Sequence, residues 1–200
     1  MELYLIRHTR PLVEKGVCYG QADLDLAGSF EEEANQIQRV LPSSVRFVYS
    51  SPLQRCSRLA RYLFPEHTIR HDDRLMEINC GTWELRKWDE IDPDETDLWM
   101  SDLIHSRIPG GETYHELALR VMQAFEEISK HKEPAAIVAH GGVLRSILAS
   151  ITQTELIHSF DAFRFHYGSV IRLFQNGDAI QYHVLQNIPH EAETHKPRRN

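Results

Sequence analysis

Apolar residues recur along this chain in short, partly β-branched runs: Leu3–Ile6, Arg46–Tyr49, Thr68–His71, Ala136–Ala139, Val170–Phe174 and Ile180–Leu185. Runs of this length and composition read as strands. Between most of them the spacing lengthens to that of a helix. Ser29-x-x-Glu32 has the form of a capping box. It opens a segment in which Phe30, Ala34, Ile37 and Leu41 share a face, with Pro42 after it. Pro52 sits at the first turn of a second segment, where Leu53, Leu59, Ala60 and Leu63 keep helical spacing before Pro65. Glu112 or Thr113 starts a longer helix with a core face of Leu117, Val121, Phe125 and Ile128. Val143, Ile147, Leu148 and Ile151 carry another. Strands alternating with helices predict an α/β three-layer sandwich, a mostly parallel central sheet flanked by helices. The turn signal Gln175-Asn176-Gly177-Asp178 makes the last two runs an antiparallel hairpin at the sheet's edge.

From Trp83 to Gly111 the pattern loosens around Trp88, Trp99, Met100, Pro93 and many acids. This stretch reads as a helical cap inserted over the sheet within one domain spanning 1–188. Residues 189–200 have no periodicity and read as a flexible tail. The chain has 200 residues with 42% apolar, enough for one substantial core. Its net charge of −7, from 22 Lys+Arg against 29 Asp+Glu, argues against broad nucleic-acid or membrane binding. No apolar run approaches the ~20 residues that span a bilayer. Nothing at Met1 marks export, so a cytoplasmic protein is expected. Cys18, Cys56 and Cys80 lack C-x-x-C spacing and read as reduced thiols.

Two histidines stand where strands emerge into loops: Arg7-His8 after the first run and His140-Gly141-Gly142 after the fourth. In open α/β sheets ligands bind beyond the carboxyl ends of strands. Arginine offers a forked, permanent cation, and glycines let backbone N–H groups approach an anion, so the expected ligand is a phosphate. Arg55 in Ser50-Ser51-Pro52-Leu53-Gln54-Arg55 and Glu77 follow the second and third runs. If the sheet is parallel, all of these converge. Such a set suits covalent phosphoryl transfer, with a neutral imidazole as nucleophile, cations on the equatorial oxygens and a carboxyl group as acid and then base. Fixed cations replace a metal, and no cofactor is called for. Ser50, Ser51 and Pro52 also fit helix N-capping. His67 and His71 read as a surface pair without a third metal ligand.

These motifs resemble the histidine phosphatase (phosphoglycerate mutase-like) superfamily. The likeness is carried by Leu-Ile-Arg-His at 5–8, Ser-Ser-Pro-Leu-x-Arg at 50–55, Glu77 with Gly81-x-Trp83-Glu84, Pro-Gly-Gly-Glu-Thr at 109–113 and the run Val138–Arg145. It implies His8 as the phosphorylated nucleophile, Glu77 as proton donor, and Arg7, Arg55, His140 and Gly141 around the phosphate, with His140 also catalytic. Arg-His-Thr-Arg-Pro at 7–11 followed by Val17-Cys18-Tyr19-Gly20-Gln21-Ala22-Asp23 is most similar to the α-ribazole phosphatase branch of cobalamin assembly. That implies substrate contacts from Thr9, Tyr19 and Gln21. Leu85 departs from the glycine many members carry after Trp-Glu, and Arg86-Lys87 departs from true phosphoglycerate mutases.

Three readings follow. The first is a phosphomonoesterase acting on a small-molecule phosphomonoester, α-ribazole 5′-phosphate being favoured. The second is a broad-specificity phosphatase or a phosphoglycerate mutase using the same site. The third is a phosphoprotein- or nucleotide-binding module that has lost turnover, against which the intact His8, Glu77 and His140 argue, since a binding module needs no general acid. Trp88, Trp99 and Met100 either face an aromatic leaving group or pack the cap. A homodimer is left open.

Overall fold

The computed structural model describes residues 1–177 and 179–189. Its strands are β1 (Glu2–Arg7), β2 (Phe47–Ser50), β3 (Ile69–His71), β4 (Ala135–Ala139), β5 (Val170–Asn176) and β6 (Ala179–Gln186). Its helices are α1 (Phe30–Val40), α2 (Gln54–Leu63), α3 (Pro93–Ser101), α4 (Tyr114–Ile128), α5 (Gly141–Ile151) and the single turn α6 (Ser159–Ala162). The strands form one sheet in the order β3-β2-β4-β1-β5-β6. β3, β2, β4 and β1 are parallel, and β5 and β6 close one edge antiparallel, as the sequence predicts.

Side-chain alternation along β1 divides the core. Leu3 and Leu5 pack with α4 and α5 through Leu117, Val121 and Ile147, while Tyr4 and Ile6 pack with α1 and α2 through Ile37 and Leu59. All five residues of β4 are buried, as a central parallel strand covered on both faces requires. Register then sets how the strand ends line up. Arg7 lies opposite Ala139, and Ser50 opposite Val138. The ends of β1 and β4 are therefore level and that of β2 falls one residue short, and His8, Ser51 and His140 leave the sheet on neighbouring strands. Hydrogen bonds from His8 N–H to the Ala139 carbonyl (3.0 Å) and from Ser51 N–H to the Val138 carbonyl (3.0 Å) carry the ladder one step past β1 and β2.

Two sequence expectations about helix starts change. Ser29 does precede α1, but its hydroxyl caps no backbone group; it donates to Glu33 Oε1 at 2.6 Å. The buried Glu33 carboxylate is held instead by the backbone N–H of Arg10 at 2.9 Å, and this competing partner overrides the capping box. Pro52 lies ahead of α2, whose N-cap is Leu53. At α4 the capping box is realised, by Thr113 and Glu116.

After β3 the chain makes 3₁₀ turns at Asp73–Leu75, Gly81–Trp83 and Trp88–Glu90, then enters α3. Trp83, fully buried, centres a small core with Cys18, Cys80, Ile91 and Ile108. Trp88 and Trp99 stack at 6.1 Å and both meet Trp83 edge-on. The three indoles thus pack on one another within this segment. The expected tail lies, from 190 onward, outside the described residues, as does Asp178 of the hairpin turn. Among the described residues no helix is long and apolar enough to cross a membrane.

Candidate active site

At His8, Nδ1 lies 2.7 Å from the Thr9 carbonyl oxygen. A carbonyl only accepts, so Nδ1 carries the proton and Nε2 the lone pair. The ring is 2% exposed. Burial first, then the Arg55 and Arg7 guanidiniums, hold its pKa well below the usual imidazole range; the Thr9 carbonyl opposes them weakly. His8 is therefore a neutral imidazole with an oriented lone pair.

His140 stands at the N-cap of α5, its ring 5.1 Å from that of His8. Its Nε2 is 2.8 Å from Ser51 Oγ and 3.4 Å from Cys56 Sγ. Burial, and then Arg55 and His8, keep it well below the ordinary value too. Ser51 therefore orients an imidazole and does not cap α2, which has no side-chain cap. Burial pushes the Cys56 thiol up to about 12, so it stays a thiol.

Arg55 is fully buried in the first turn of α2. It donates to the carbonyls of Ala22 (2.8 Å) and Gly20 (2.5 Å), and its Nε has no partner among the described residues. Carbonyls bear no net charge, so this cation is positioned without being neutralised, and a buried cation of that kind favours an anionic ligand. Arg7 donates to the Phe165 carbonyl and lies over the Tyr167 ring at 4.2 Å. Gly141 lies against it: a Cβ there would stand in ordinary contact, 3.4 Å from Arg7 Nε.

Glu77 sits in the loop between the first two 3₁₀ turns. Its Oε2 accepts from Gly142 N–H and its Oε1 from Ile78 N–H, both at 3.0 Å. A Cβ at Gly142 would fall 2.2 Å from Glu77 Oε1, so a larger residue there must displace this carboxylate. Arg120 of α4 fixes the loop from below. It donates to the carbonyls of Arg74 (2.8 Å), Met76 (2.7 Å) and Glu77 (2.9 Å) and pairs with Glu112 at 2.5 Å. Glu112 in turn accepts from Asn79 N–H at 2.8 Å.

The three residues expected to touch substrate have mixed placements. Thr9 is buried and turns its carbonyl to His8. Tyr19 hydrogen-bonds the Tyr167 hydroxyl at 2.6 Å. Gln21 Nε2 donates to the Glu77 carbonyl at 3.1 Å, which makes it a support for Glu77. The loop holding Tyr19 and Gln21 is anchored by Glu84, whose carboxylate accepts from the N–H groups of Gly20, Gln21, Ala22 and Cys80. Next to it Leu85 takes φ 63°. Its N–H donates to the Cys18 carbonyl while Cys18 N–H donates to the Arg86 carbonyl, the pattern of a bulge whose first residue is ordinarily glycine.

Sequence reasoning missed Arg120 and its pairing with Glu112 of the 109–113 motif, the His140 contact of Ser51, and Tyr167. Glu112 lies ahead of α4 and Arg120 two turns beyond it, a separation that on a continuous helix brings no side chains together, so the sequence does not signal the pair. Nothing in the sequence singles out Tyr167.

Fold and site together define a class: an α/β protein that gathers two buried neutral imidazoles, two guanidiniums and a carboxylate at the carboxyl edge of a parallel sheet. Residues 3–188 match the histidine phosphatase superfamily (branch 1), and the chain belongs to that family. It is 32% identical over 162 residues to "Probable phosphoglycerate mutase GpmB" of Erwinia tasmaniensis, covering 76% of this chain and 74% of that one. It is 30% identical over 158 residues, 75% of this chain and 78% of the other, to a Hydrogenobacter thermophilus protein provisionally named phosphoserine phosphatase 2. Among solved structures, Bacillus stearothermophilus YhfR superposes with a TM-score of 0.81 at 27% identity, over 94% of this chain and 98% of that one. The α-ribazole phosphatase of Shigella flexneri superposes with a TM-score of 0.84 over the full length of both chains at 24% identity, a likeness of fold.

Proposed function

We propose that this protein is a metal-independent phosphomonoesterase that works through a phosphohistidine on His8, with α-ribazole 5′-phosphate as its preferred substrate. The observation that carries the reading is the tautomer of His8, a neutral ring with Nε2 bearing the lone pair beside two guanidiniums. Nε2 attacks phosphorus and the P–O bond to the leaving group breaks, while Glu77 protonates the departing oxygen. Arg7, Arg55 and His140 hold the three equatorial oxygens. In the second step Glu77, now a carboxylate, takes a proton from water, whose oxygen displaces His8 and releases phosphate.

The substrate choice rests on the loop motif at 17–23 and on the fold shared with α-ribazole phosphatases. A mutase reading draws on the similarity to the Erwinia protein. Against it, the cations at 86 and 87 are engaged within the protein: Arg86 donates to the Glu90 carbonyl and Lys87 pairs with Glu14 at 3.5 Å. Neither is poised to hold a substrate carboxylate.

The test is turnover of an aryl phosphate in EDTA, quenched to trap an acid-labile phosphoryl group that His8→Ala abolishes. A phosphoenzyme that persists without His8 would refute the assignment. Side-by-side kcat/KM values for α-ribazole phosphate, phosphoserine and 3-phosphoglycerate then rank the substrates. Turnover of 3-phosphoglycerate that depends on 2,3-bisphosphoglycerate would establish the mutase instead.

A further inference from the structure

Two aromatic rings stand in the pocket that the phosphoryl chemistry does not itself use. Tyr167, buried in the connection between α6 and β5, has its ring 4.2 Å from the Arg7 guanidinium carbon and 5.5 Å from the His8 ring. Tyr19 arrives from the other side, in the loop whose Gly20 and Ala22 carbonyls hold Arg55. Its ring lies 5.6 Å from the Arg55 guanidinium carbon. The two phenol oxygens are 2.6 Å apart. Each guanidinium thus has a ring of its own, and one hydrogen bond ties the rings together.

Physical reasons make this arrangement more than filler. Two like charges confined in one buried site repel, and they repel most when no anion lies between them. An aromatic face attracts a cation through its quadrupole and carries no net charge. Burial and the neighbouring phenol also push the Tyr19 hydroxyl well above its ordinary pKa, so it stays uncharged.

We propose that Tyr19 and Tyr167 form a positioning pair that keeps Arg55 and Arg7 at phosphate-gripping separation in the unliganded enzyme. The inference rests on the phosphomonoesterase reading and adds to it what preorganises the cationic pocket.

The experiment measures inorganic phosphate as a competitive inhibitor of aryl phosphate turnover, together with kcat/KM for an aryl and an alkyl phosphate. Tyr167→Leu removes the ring beneath Arg7. Its phosphate Ki is expected to rise about tenfold or more, and kcat/KM to fall by the same factor on both substrates. Tyr19→Phe and Tyr167→Phe keep the rings and each remove the same bridging bond. Each single variant should show a smaller rise in Ki, and the double variant a rise no larger than either single. This cycle decides the matter even if Tyr167→Leu fails to fold. An unmoved Ki in Tyr167→Leu, or additive losses in the two Phe variants, would overturn the inference alone. A wild-type chain that neither turns over phosphomonoesters nor binds phosphate would overturn the functional reading and the inference together.

Discussion

At His8 the chemistry turns on one proton, whose place is set by the carbonyl of the next residue, and on the charge of the two arginines nearby. The separate roles proposed for Glu77 and Arg55 make a kinetic prediction. Glu77→Gln removes the acid, so the rate loss should be small for an aryl phosphate and reach about 10²–10⁴-fold for an alkyl phosphate, whose leaving oxygen needs the proton. Arg55→Ala should slow both by about 10²–10³-fold, because it touches the common phosphoryl group. Equal losses across leaving groups in Glu77→Gln would remove Glu77 from the acid role. The buried imidazoles also make stability depend on pH. Both His8 and His140 have folded-state pKa values held well below the usual value, so between that depressed value and the unfolded value of about 6.5 the unfolded chain binds more protons. Stability is retained above about 6.5 and falls as pH drops, by up to about 1.4 kcal/mol per pH unit for each histidine. Urea unfolding at a series of pH values should show a shallower slope for His8→Gln than for wild type. Identical slopes would mean that His8 does not titrate as its burial demands.

At the level of elements, two helices grip the loop that carries Glu77. α5 supplies the Gly142 N–H to the Glu77 carboxylate, and α4 supplies Arg120 to the backbone that carries it. Gly142→Ala should separate function from stability. Alanine is the better helix former by about 1 kcal/mol, yet its Cβ would collide with Glu77 Oε1 and displace the acid. The expected result is a thermal midpoint lowered little or not at all, with alkyl phosphate turnover reduced at least about tenfold. A variant with full alkyl phosphatase activity would show that the close approach at Gly142 is dispensable. Arg120→Met should be costly in a different way. It leaves the partly buried Glu112 carboxylate and three backbone carbonyls without their donor, at about 1–3 kcal/mol, measurable as a shift in the urea midpoint at unchanged m-value.

Across the whole molecule, the small core centred on Trp83 joins the two halves of the pocket. It contains Cys18, one residue before Tyr19, and Cys80, three residues after Glu77. Its indole nitrogen donates to Glu95 of α3 at 2.8 Å, which fastens the cap helix to the same point. Trp83→Ala should cost about 3–5 kcal/mol. Because this cluster is separate from those on the two sheet faces, the loss should appear first as faster amide exchange in the 80–108 segment, ahead of the sheet. Uniform acceleration over β1 and β4 as well would show that the cap is not an independent unit.

The strands, most of the helices and the family were legible in the chain itself, because buried parallel strands, amphipathic helices and the motifs at their ends are local patterns. The four candidate residues His8, Arg55, Glu77 and His140 could be named for the same reason, each following a strand-like run. Tertiary structure alone decided which atoms they present. The Nδ1 proton of His8, the turn of Ser51 toward His140, the hold of Arg120 on three carbonyls and the tyrosine pair between the arginines all depend on contacts between distant segments. Leu85 shows the same limit, since a left-handed leucine is explained only by the bulge it makes with Cys18. Local periodicity settles which face a residue buries, whereas hydrogen-bond partners drawn from β1, α2, α4 and α5 exist only once register and packing have brought those elements together.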